Sequence, residues 1–439
     1  MQFLSVKDFS CIEQADFEIN RLTVFIGPQG SGKSVITKLL YFFSDILRNI
    51  LSSTEDEVNY NEFIKSLEKS FCSWFPPQAW GSKKLLINYM DGDFNCRVMR
   101  RIKTGKLSDE VGITLSAWVK EFYDSSSESF HDARMQATGL KSAELGGAPY
   151  EWEFALRVRS KIERDLERRV DGYAGFNQTF IPAGRAFFTS IGRLVAGIEH
   201  AGSLDPATMK FARLFAGWRD HANTYFGAAG IKDLAEARKS AMLGLFNGTI
   251  QNKRDAEYIE MADGRKVPFA SLSSGQQEML PIWYFLDNLM TVDALRSSRM
   301  NKNSAPEKST IYIEEPEAHL FPSSQALLLD MLIARVIGAS AGAQRRLILT
   351  THSPYIMSRL NVLLKAGQLG KRRRRIKEIG DVIPKESWVT TEEISVFSIS
   401  NGKVNSIIDE EEGLIDARFL DYISDVISED FSKLLDIEG

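Results

Sequence analysis

A glycine-rich segment, GPQGSGKS, lies between an apolar run and a helical pattern, and it restricts the possible folds more than any other part of the chain. The segment has the spacing G-x-x-x-x-G-K-[ST], and the preceding residues, RLTVFI, are typical of a buried β-strand. Glycines let the backbone curl until its N–H groups point at phosphate oxygens, and the N-terminus of the following helix adds partial positive charge. The pattern therefore predicts a phosphate-binding loop composed of Gly27, Pro28, Gln29, Gly30, Ser31, Gly32, Lys33 and Ser34.

The last two residues of this loop carry the expected chemistry. Lys33 is placed to reach the β- and γ-phosphates of a nucleotide, and Ser34 is placed to bind Mg²⁺. ATP and Mg²⁺ are therefore the expected cofactors. The alternative is a glycine-rich turn without a functional role, which the succession of strand, loop and helix disfavours.

Two carboxylates follow a second apolar strand in the segment IYIEEPE. Ligands of open α/β sheets bind at the carboxyl ends of the strands, where these side chains are expected. Glu314 is predicted to act on the Mg²⁺ shell through water, and Glu315 to orient or deprotonate the attacking water. Taken alone, acidic residues after a strand are usually a solvated edge, but Pro316 stops this strand at once and a phosphate-binding loop is already present.

A histidine ends a third apolar segment, LILTTHSPYI. A neutral imidazole at His352 could form a hydrogen bond with the γ-phosphate or with the attacking water. A lone histidine is more often structural, and the functional interpretation depends on its place after the carboxylate strand.

The segment SLSSGQQEML precedes an apolar helical run. Serine is a favoured N-cap, and Gln277 or Glu278 could complete a capping box, so a well-capped helix is the simpler interpretation. The same arrangement of hydroxyls, N–H groups and helix dipole also forms an anion site. Ser273, Ser274 and Gly275 are therefore predicted to bind the γ-phosphate held by another copy of the chain.

Strands alternate with helices along the chain, which favours an α/β core with a largely parallel sheet and an antiparallel β part near the N-terminus. The nucleotide motifs lie near both ends of the sequence. We therefore expect an N-terminal part with the phosphate loop over residues 1–116, a mainly helical insertion over 117–250, and a C-terminal part with the other motifs over 251–439.

The composition of the chain argues against several classes of protein. The net charge of -4 gives no global attraction to nucleic acid, and no apolar run reaches the length of a bilayer span. Three cysteines without CxxC spacing fit neither a zinc site nor a disulfide framework. The first residues alternate like strands instead of forming a leader, so we expect a cytoplasmic protein without membrane contact.

The phosphate loop, LSSGQQE, EEPEAHLFP and THSPYI, in this order, resemble the ABC-type ATPase heads of the RecF and SMC-like group, and most of all the OLD-like and Septu-like ATPases of bacterial anti-phage systems. In that family two heads enclose two ATP molecules. The resemblance implies that Ser273 or Ser274 with Gly275 acts on the partner's nucleotide, that Glu315 is the catalytic base, that Glu317–His319 belong to the interface loop and that His352 is the switch histidine.

The resemblance has further implications and one departure. FIPAGRAFF is similar to a segment common in these ATPases, which implies that Arg185 approaches the nucleotide or the interface. Glu314 stands where many relatives have Asp, which a water-mediated Mg²⁺ contact tolerates. The segment after His352 is too short for the nuclease domain of OLD enzymes, so a nuclease is expected as a separate polypeptide.

We therefore expect an ATPase that forms a homodimer or higher homo-oligomer on ATP and serves as the sensor or regulatory subunit of an anti-phage system with a separate effector, a nuclease. Two alternatives stay open. One is a DNA-repair ATPase of the RecF and SMC-like type that acts on DNA directly. The other is an ATP-bound scaffold that holds a toxic partner inactive.

Two C-terminal segments have a less specific composition. A basic run could contact the phosphates of nucleic acid or form a solvated loop; it consists of Lys371, Arg372, Arg373, Arg374 and Arg375. The acidic tail has apolar residues at helical spacing, and we expect it to pack on the core, with partner docking as the alternative.

Overall fold

The computed structural model describes residues 2–141, 148–170, 177–191, 204–221, 232–253, 256–299, 307–338, 343–372, 374–416 and 418–438. The strands are β1 (Gln2–Phe9), β2 (Ile12–Ile19), β3 (Leu22–Ile26), β4 (Leu86–Asp91), β5 (Phe94–Lys103), β6 (Lys106–Leu115), β7 (Asn177–Ile181), β8 (Gly248–Lys253), β9 (Ala256–Met261), β10 (Lys266–Pro268), β11 (Glu307–Glu314), β12 (Ala343–Thr351), β13 (Ile394–Ser400) and β14 (Lys403–Ser406).

The α-helices are α1 (Lys33–Glu55), α2 (Tyr60–Trp74), α3 (Ala117–Lys141), α4 (Ala148–Glu167), α5 (Ala186–Ile191), α6 (Pro206–His221), α7 (Lys232–Phe246), α8 (Ser274–Arg299), α9 (Pro322–Leu332), α10 (Pro354–Lys371), α11 (Ile376–Val382) and α12 (Arg418–Glu438). None of the described helices is long and apolar enough to cross a bilayer.

One 11-stranded sheet runs through the described structure in the order β6-β5-β4-β1-β2-β14-β13-β3-β12-β11-β7. The strands from β13 to β7 pair in parallel, whereas β6, β5, β4, β1 and β2 pair antiparallel in succession. The expected α/β fold, with a mainly parallel core and an antiparallel part near the N-terminus, is confirmed.

The parallel half determines where the site lies. Ile26 at the end of β3 pairs with Thr351 at the end of β12, and Glu314 at the end of β11 pairs with Thr350. The carboxyl ends of these strands therefore meet at one edge, and the segments that follow them converge there.

Helices cover both faces of the sheet. In β3, Phe25 belongs to the core beneath α1 and α2, whereas Val24 belongs to the core beneath α8, α9 and α10. A strand buried on both faces is typical of a parallel sheet within helical layers, and all five residues of β3 are buried.

The middle region, 117–250, is mainly helical in its described residues but is also part of the main body. Its strand β7 pairs with β11 at the edge of the sheet. Phe130 of α3 and Leu166 of α4 are buried in the same core as α1. The segments on either side of ADGR form β9 and β10, and β8 adds a third strand to this second sheet.

The C-terminal helix corrects one expectation. We expected the apolar residues of the acidic tail to pack on the core, but Ile427, Phe431 and Leu434 of α12 are 62%, 62% and 63% exposed. Their periodicity is helical, as predicted, and their face lacks a covering element among the described residues.

Candidate functional site

The phosphate loop connects β3 to α1 in the geometry that its glycines require. Gly32 has φ of 107°, in the left-handed region that favours glycine. A Cβ atom at Gly27 would lie 2.3 Å from the carbonyl oxygen of Ile399 in β13. The spacing of the motif therefore reflects both backbone conformation and close packing, and α1 begins directly at Lys33.

Lys33 lies within the loop with its ammonium group directed back along it. Nζ donates to the carbonyl oxygens of Gly27 at 2.8 Å and Pro28 at 3.0 Å. Burial lowers the pKa of Lys33, and the charges of Glu315, Glu317 and Glu314 oppose that shift. A cation held over the loop by neutral carbonyls can exchange those partners for phosphate oxygens.

Lys33, His352 and Glu315 form a connected row. Lys33 Nζ lies 3.4 Å from His352 Nδ1, and His352 Nε2 lies 2.9 Å from Glu315 Oε1. One neutral tautomer satisfies both contacts, because Nδ1 then accepts from the ammonium and Nε2–H donates to the carboxylate. The structure thus brings together three of the predicted residues, each from the segment that follows one of three strands.

The backbone of Glu315 has an uncommon conformation. Its φ is 44°, and its N–H donates to the carbonyl oxygen of Thr350 at 2.9 Å, which continues the contact between β11 and β12 for one residue beyond the strand. A non-glycine residue at positive φ costs free energy and persists where its surroundings hold it, which is frequent at functional sites.

Glu317 contributes a contact that the sequence did not indicate. Its Oε1 accepts hydrogen bonds from Thr351 Oγ1 and from the His352 N–H, both at 2.7 Å. The motif resemblance placed Glu317 in an interface loop, whereas its buried carboxylate fixes the main chain that carries the histidine. The third glutamate of EEPE could have indicated this, but only the pairing of β11 with β12 specifies its partner.

The predicted metal residues lie beside α1. Glu314 accepts from Thr37 Oγ1 at 3.3 Å and from the Ala183 N–H at 3.4 Å, and Ser34 is exposed one turn before Thr37. No cluster of three or more His, Cys, Asp or Glu side chains suited to a metal occurs among the described residues. Mg²⁺ bound by a hydroxyl, phosphate oxygens and water needs no such cluster, so the oxygen donors Ser34 and Glu314 fit it.

Two buried polar atoms at this edge also fit a polar ligand. Ser31 Oγ of the phosphate loop and Glu317 Oε2 have no hydrogen-bond partner among the described residues. Buried polar groups are normally paired, so each is suited to contact phosphate or bound water.

Ser273, Ser274 and Gly275 form the start of α8. Ser273 is the N-cap, since its Oγ accepts from the Gln276 N–H at 3.4 Å while Gln276 Oε1 accepts from the Ser273 N–H at 3.3 Å. The capping partner is therefore Gln276 and not Gln277 or Glu278. Both serines are exposed, and a Cβ at Gly275 would lie 2.7 Å from the carbonyl oxygen of His319. The helix start thus packs on the loop after β11 and presents its serines to solvent.

Arg185 lies in the interior of the chain, behind the start of α8. Its side chain is fully buried, so it does not face a partner chain. The guanidinium donates to the carbonyl oxygens of Glu314 at 2.8 Å, Glu315 at 3.0 Å and Glu278 at 2.9 Å. Burial lowers the pKa of Arg185, and the same cause raises the pKa of Glu278, whose Oε2 lies 3.4 Å from Arg185 Nε. Arg185 therefore connects the start of α8 to the end of β11.

The basic run spans the end of α10 and the start of α11. Lys371 forms an ion pair with Glu392, and Arg375 forms one with Glu378. Arg372 and Arg374 are exposed, and Arg373 lies outside the described residues. Nucleic-acid contact through this run stays a prediction.

One family model and several solved structures are similar to this chain. The family described as AAA ATPase domain matches residues 231–357, which include the start of α8, the end of β11 and His352. None of the curated proteins compared with the chain matches it. The family match and the phosphate loop support a P-loop ATPase.

Several solved structures are similar over most of the chain. An SMC head bound to the C-winged helix domain of ScpA is 14% identical, covers 94% of this chain and 99% of its own, and has a TM-score of 0.39. The SMC head domain from Thermotoga maritima is 13% identical, with 93% and 98% covered and a TM-score of 0.34. The recombination mediator protein RecF is 9% identical, with 92% and 97% covered and a TM-score of 0.29.

Proposed function

We propose that the chain hydrolyses ATP with Glu315 as the general base. The row from Lys33 through His352 to Glu315 carries this proposal, because it joins a phosphate-binding cation to a carboxylate through a histidine. A γ-phosphate bound at Lys33 would lie beside both groups, which is the arrangement that attack by water requires.

Each side chain has a distinct part in the reaction. Glu315 orients the water and accepts its proton while the water oxygen attacks the γ-phosphorus and the bond to the β-phosphate oxygen breaks. The His352 Nε2–H holds Glu315 in place, and Lys33 stabilises charge on the phosphate oxygens. Mg²⁺, held by Ser34 and through water by Glu314, would neutralise charge on the phosphates.

Glu315→Gln and Lys33→Ala test the proposal together. Glu315→Gln keeps an acceptor for His352 but cannot take the proton, so we expect retained ATP affinity and turnover lower by about 10²-fold or more. Lys33→Ala should instead lose nucleotide affinity. Phosphate release and binding of a fluorescent ATP analogue measure the two effects, with the exposed Glu153→Gln as a control. Near-normal turnover of Glu315→Gln would remove it from the base role.

The active unit in this proposal is a homodimer in which the α8 start of one copy binds the γ-phosphate of the other. The exposure of Ser273 and Ser274 supports this, since an N-capped helix start with free access is suited to an external anion. Arg185 donates to the carbonyl oxygens of both Glu278 in α8 and Glu315. Within each chain it would therefore connect the helix start that binds the partner's nucleotide with the base, Glu315.

The biological role rests on the motif resemblance. The ATPase is proposed as the sensor or regulatory subunit of an anti-phage system, controlling a separate nuclease effector. Plating efficiency of phages on bacteria that carry this gene with its neighbours, as wild type or as Glu315→Gln, tests the role. Equal protection with and without the gene would contradict it, and neighbouring recombination genes would favour the repair alternative.

A further inference from the structure

Two complementary exposed surfaces lie in the C-terminal part of the chain. The first, which we name the tail face, is the apolar stripe of α12 formed by Ile427, Phe431, Leu434 and Leu435. The second, which we name the α10–α11 groove, is a groove of about 660 Å³ whose apolar lining includes Val362, Leu369 and Val382. Exposed apolar stretches of this kind commonly mark binding surfaces.

The two surfaces match in spacing. Ile427, Phe431 and Leu434 stand at positions i, i+4 and i+7 of α12, so they form a stripe about 10 Å long. Val362 and Leu369 are exposed at positions i and i+7 of α10, with Ala366 buried between them at i+4. Two such stripes are suited to side-by-side packing of helices.

The two surfaces also match in charge. The groove is lined by four basic residues and one acidic residue, Lys365, Arg372, Arg374, Arg375 and Glu378, for a net charge of three positive units. The stretch Ile427–Ile437 has three acidic residues and one basic residue, Glu429, Asp430, Asp436 and Lys433, for a net charge of two negative units. Complementary potential directs association and fixes register.

Within one chain the surfaces do not cover each other. Val362 and Val382 are 42% and 75% exposed, and Ile427 is 62% exposed. Ile415 exchanges hydrogen bonds with Asn361 of α10, and α12 begins at Arg418, so α12 starts beside its own α10 and contacts it. The residues of the tail face nevertheless stay exposed.

We propose that the tail face of one copy binds in the α10–α11 groove of a second copy, and that the exchange is reciprocal. A reciprocal contact of this kind closes as a two-fold dimer. The contact is independent of nucleotide, since it uses no residue of the phosphate loop. It would hold two chains together between rounds of ATP binding.

Sedimentation velocity of the full chain without nucleotide, in a Lys33→Ala background, tests the proposal over a concentration series. We expect association that depends on concentration. Phe431→Asp should raise the dissociation constant about 30-fold or more, since it places a charge at the centre of the contact. Ser432→Asp, about 100° around α12 from Phe431, is the matched control and should associate like the parent. A chain that stays monomeric at every concentration would overturn the proposal.

A charge exchange identifies the two partners. Arg372→Glu with Arg374→Glu, and separately Asp430→Lys with Asp436→Lys, should each weaken association. An equimolar mixture of the two variants should recover it, because both contacts of the mixed dimer pair opposite charges. Lys377→Glu, beside the groove, is the control.

Two further outcomes would overturn the proposal. In the first, the tail variant (Asp430→Lys with Asp436→Lys) associates like wild type, while the groove variant (Arg372→Glu with Arg374→Glu) binds DNA more weakly than wild type. The other is a crosslink within one chain when Leu369→Cys and Leu435→Cys are combined in a Cys11→Ser background.

Discussion

The guanidinium of Arg185 donates a hydrogen bond of 3.0 Å to the main-chain carbonyl oxygen of Glu315. The same side chain donates to the carbonyl oxygens of Glu314 and Glu278, so one buried cation connects the end of β11 with the start of α8. Glu315 adopts a positive φ, and these contacts hold it there. Arg185 is therefore a positioning residue: it would transmit a change at the α8 start to the carboxylate of Glu315.

Arg185→Lys should lower kcat about 100-fold with little change in KM for ATP. A lysine keeps the charge but cannot donate to several carbonyls in one plane, so Glu315 loses its alignment while the phosphate loop is untouched. Steady-state phosphate release measures kcat and KM separately. Arg168→Lys, at an exposed ion pair with Asp165, is the control. A variant that folds normally and keeps wild-type kcat would show that the contact is only structural.

Glycine spacing and apolar periodicity were sufficient to predict part of the fold. The phosphate loop, α1 and the strands of the antiparallel half follow from glycine spacing and apolar periodicity, and the order of motifs placed Glu315 near His352. The role of Arg185 could not be predicted, because it depends on β7 pairing with β11 from a distant part of the chain. The exposure of Phe431 could not be predicted either, since the same helical spacing suits a buried and an unpartnered face.

His352→Ala should lower kcat by about 10-fold to 100-fold while ATP affinity stays within about threefold of wild type. The substitution removes the Nε2–H that holds Glu315, but Lys33 and the loop amides that bind phosphate remain. Stopped-flow hydrolysis and equilibrium nucleotide binding separate the two effects. The exposed His131→Ala is the control. Loss of affinity equal to the loss of kcat would indicate that His352 acts mainly in binding phosphate.

Glu317→Gln should have a smaller effect than Glu317→Ala. The amide oxygen still accepts from Thr351 Oγ1 and the His352 N–H, whereas alanine leaves both donors unpaired in a buried place. We expect about tenfold between the kcat values of the two variants. Thr351→Val, which removes one of the donors, should lie between them. Equal kcat for the two Glu317 variants would mean that the charge of Glu317, rather than its position as acceptor, matters.

Asp91 should make the stability of the chain depend on pH. Burial raises the pKa of Asp91 to about 6 from an ordinary value of 3.8, although the charge of Arg346 opposes that shift. The folded state therefore binds more protons than the unfolded state between these values, and the free energy of unfolding falls as pH rises through that window, by on the order of 3 kcal/mol. Asp91→Asn should flatten this decrease, as urea unfolding at pH 4.5 and pH 7 would measure. Equal pH dependence of wild type and variant would contradict the assignment.

The start of α8 should act on the nucleotide of the partner copy. In a trans arrangement a working site needs Lys33 from one chain and Ser274 from another. Lys33→Ala removes the ammonium group that binds the phosphates. Ser274→Arg places a bulky side chain at the exposed first position of α8, where it disturbs no packing within its own chain. Each variant alone should therefore be inactive. Neither substitution removes the hydrogen bond between Ser273 and Gln276, so the cap of α8 stays in place.

A mixture of the two variants should recover part of the ATPase activity. A mixed dimer has one site with both substitutions and one site with neither, so random exchange gives mixed dimers as about half of the population and intact sites as about a quarter of all sites. Phosphate release from a 1:1 mixture, after exchange has been verified by crosslinking differently tagged chains, measures this recovery. Two inactive variants of the same site, Lys33→Ala and Glu315→Gln, form the matched control. Lys33 and Glu315 contribute to a site from the same chain. Each of the two sites in their mixed dimer therefore carries one substitution, and the mixture should recover no ATPase activity. Full activity of Ser274→Arg alone would show that the segment only caps α8.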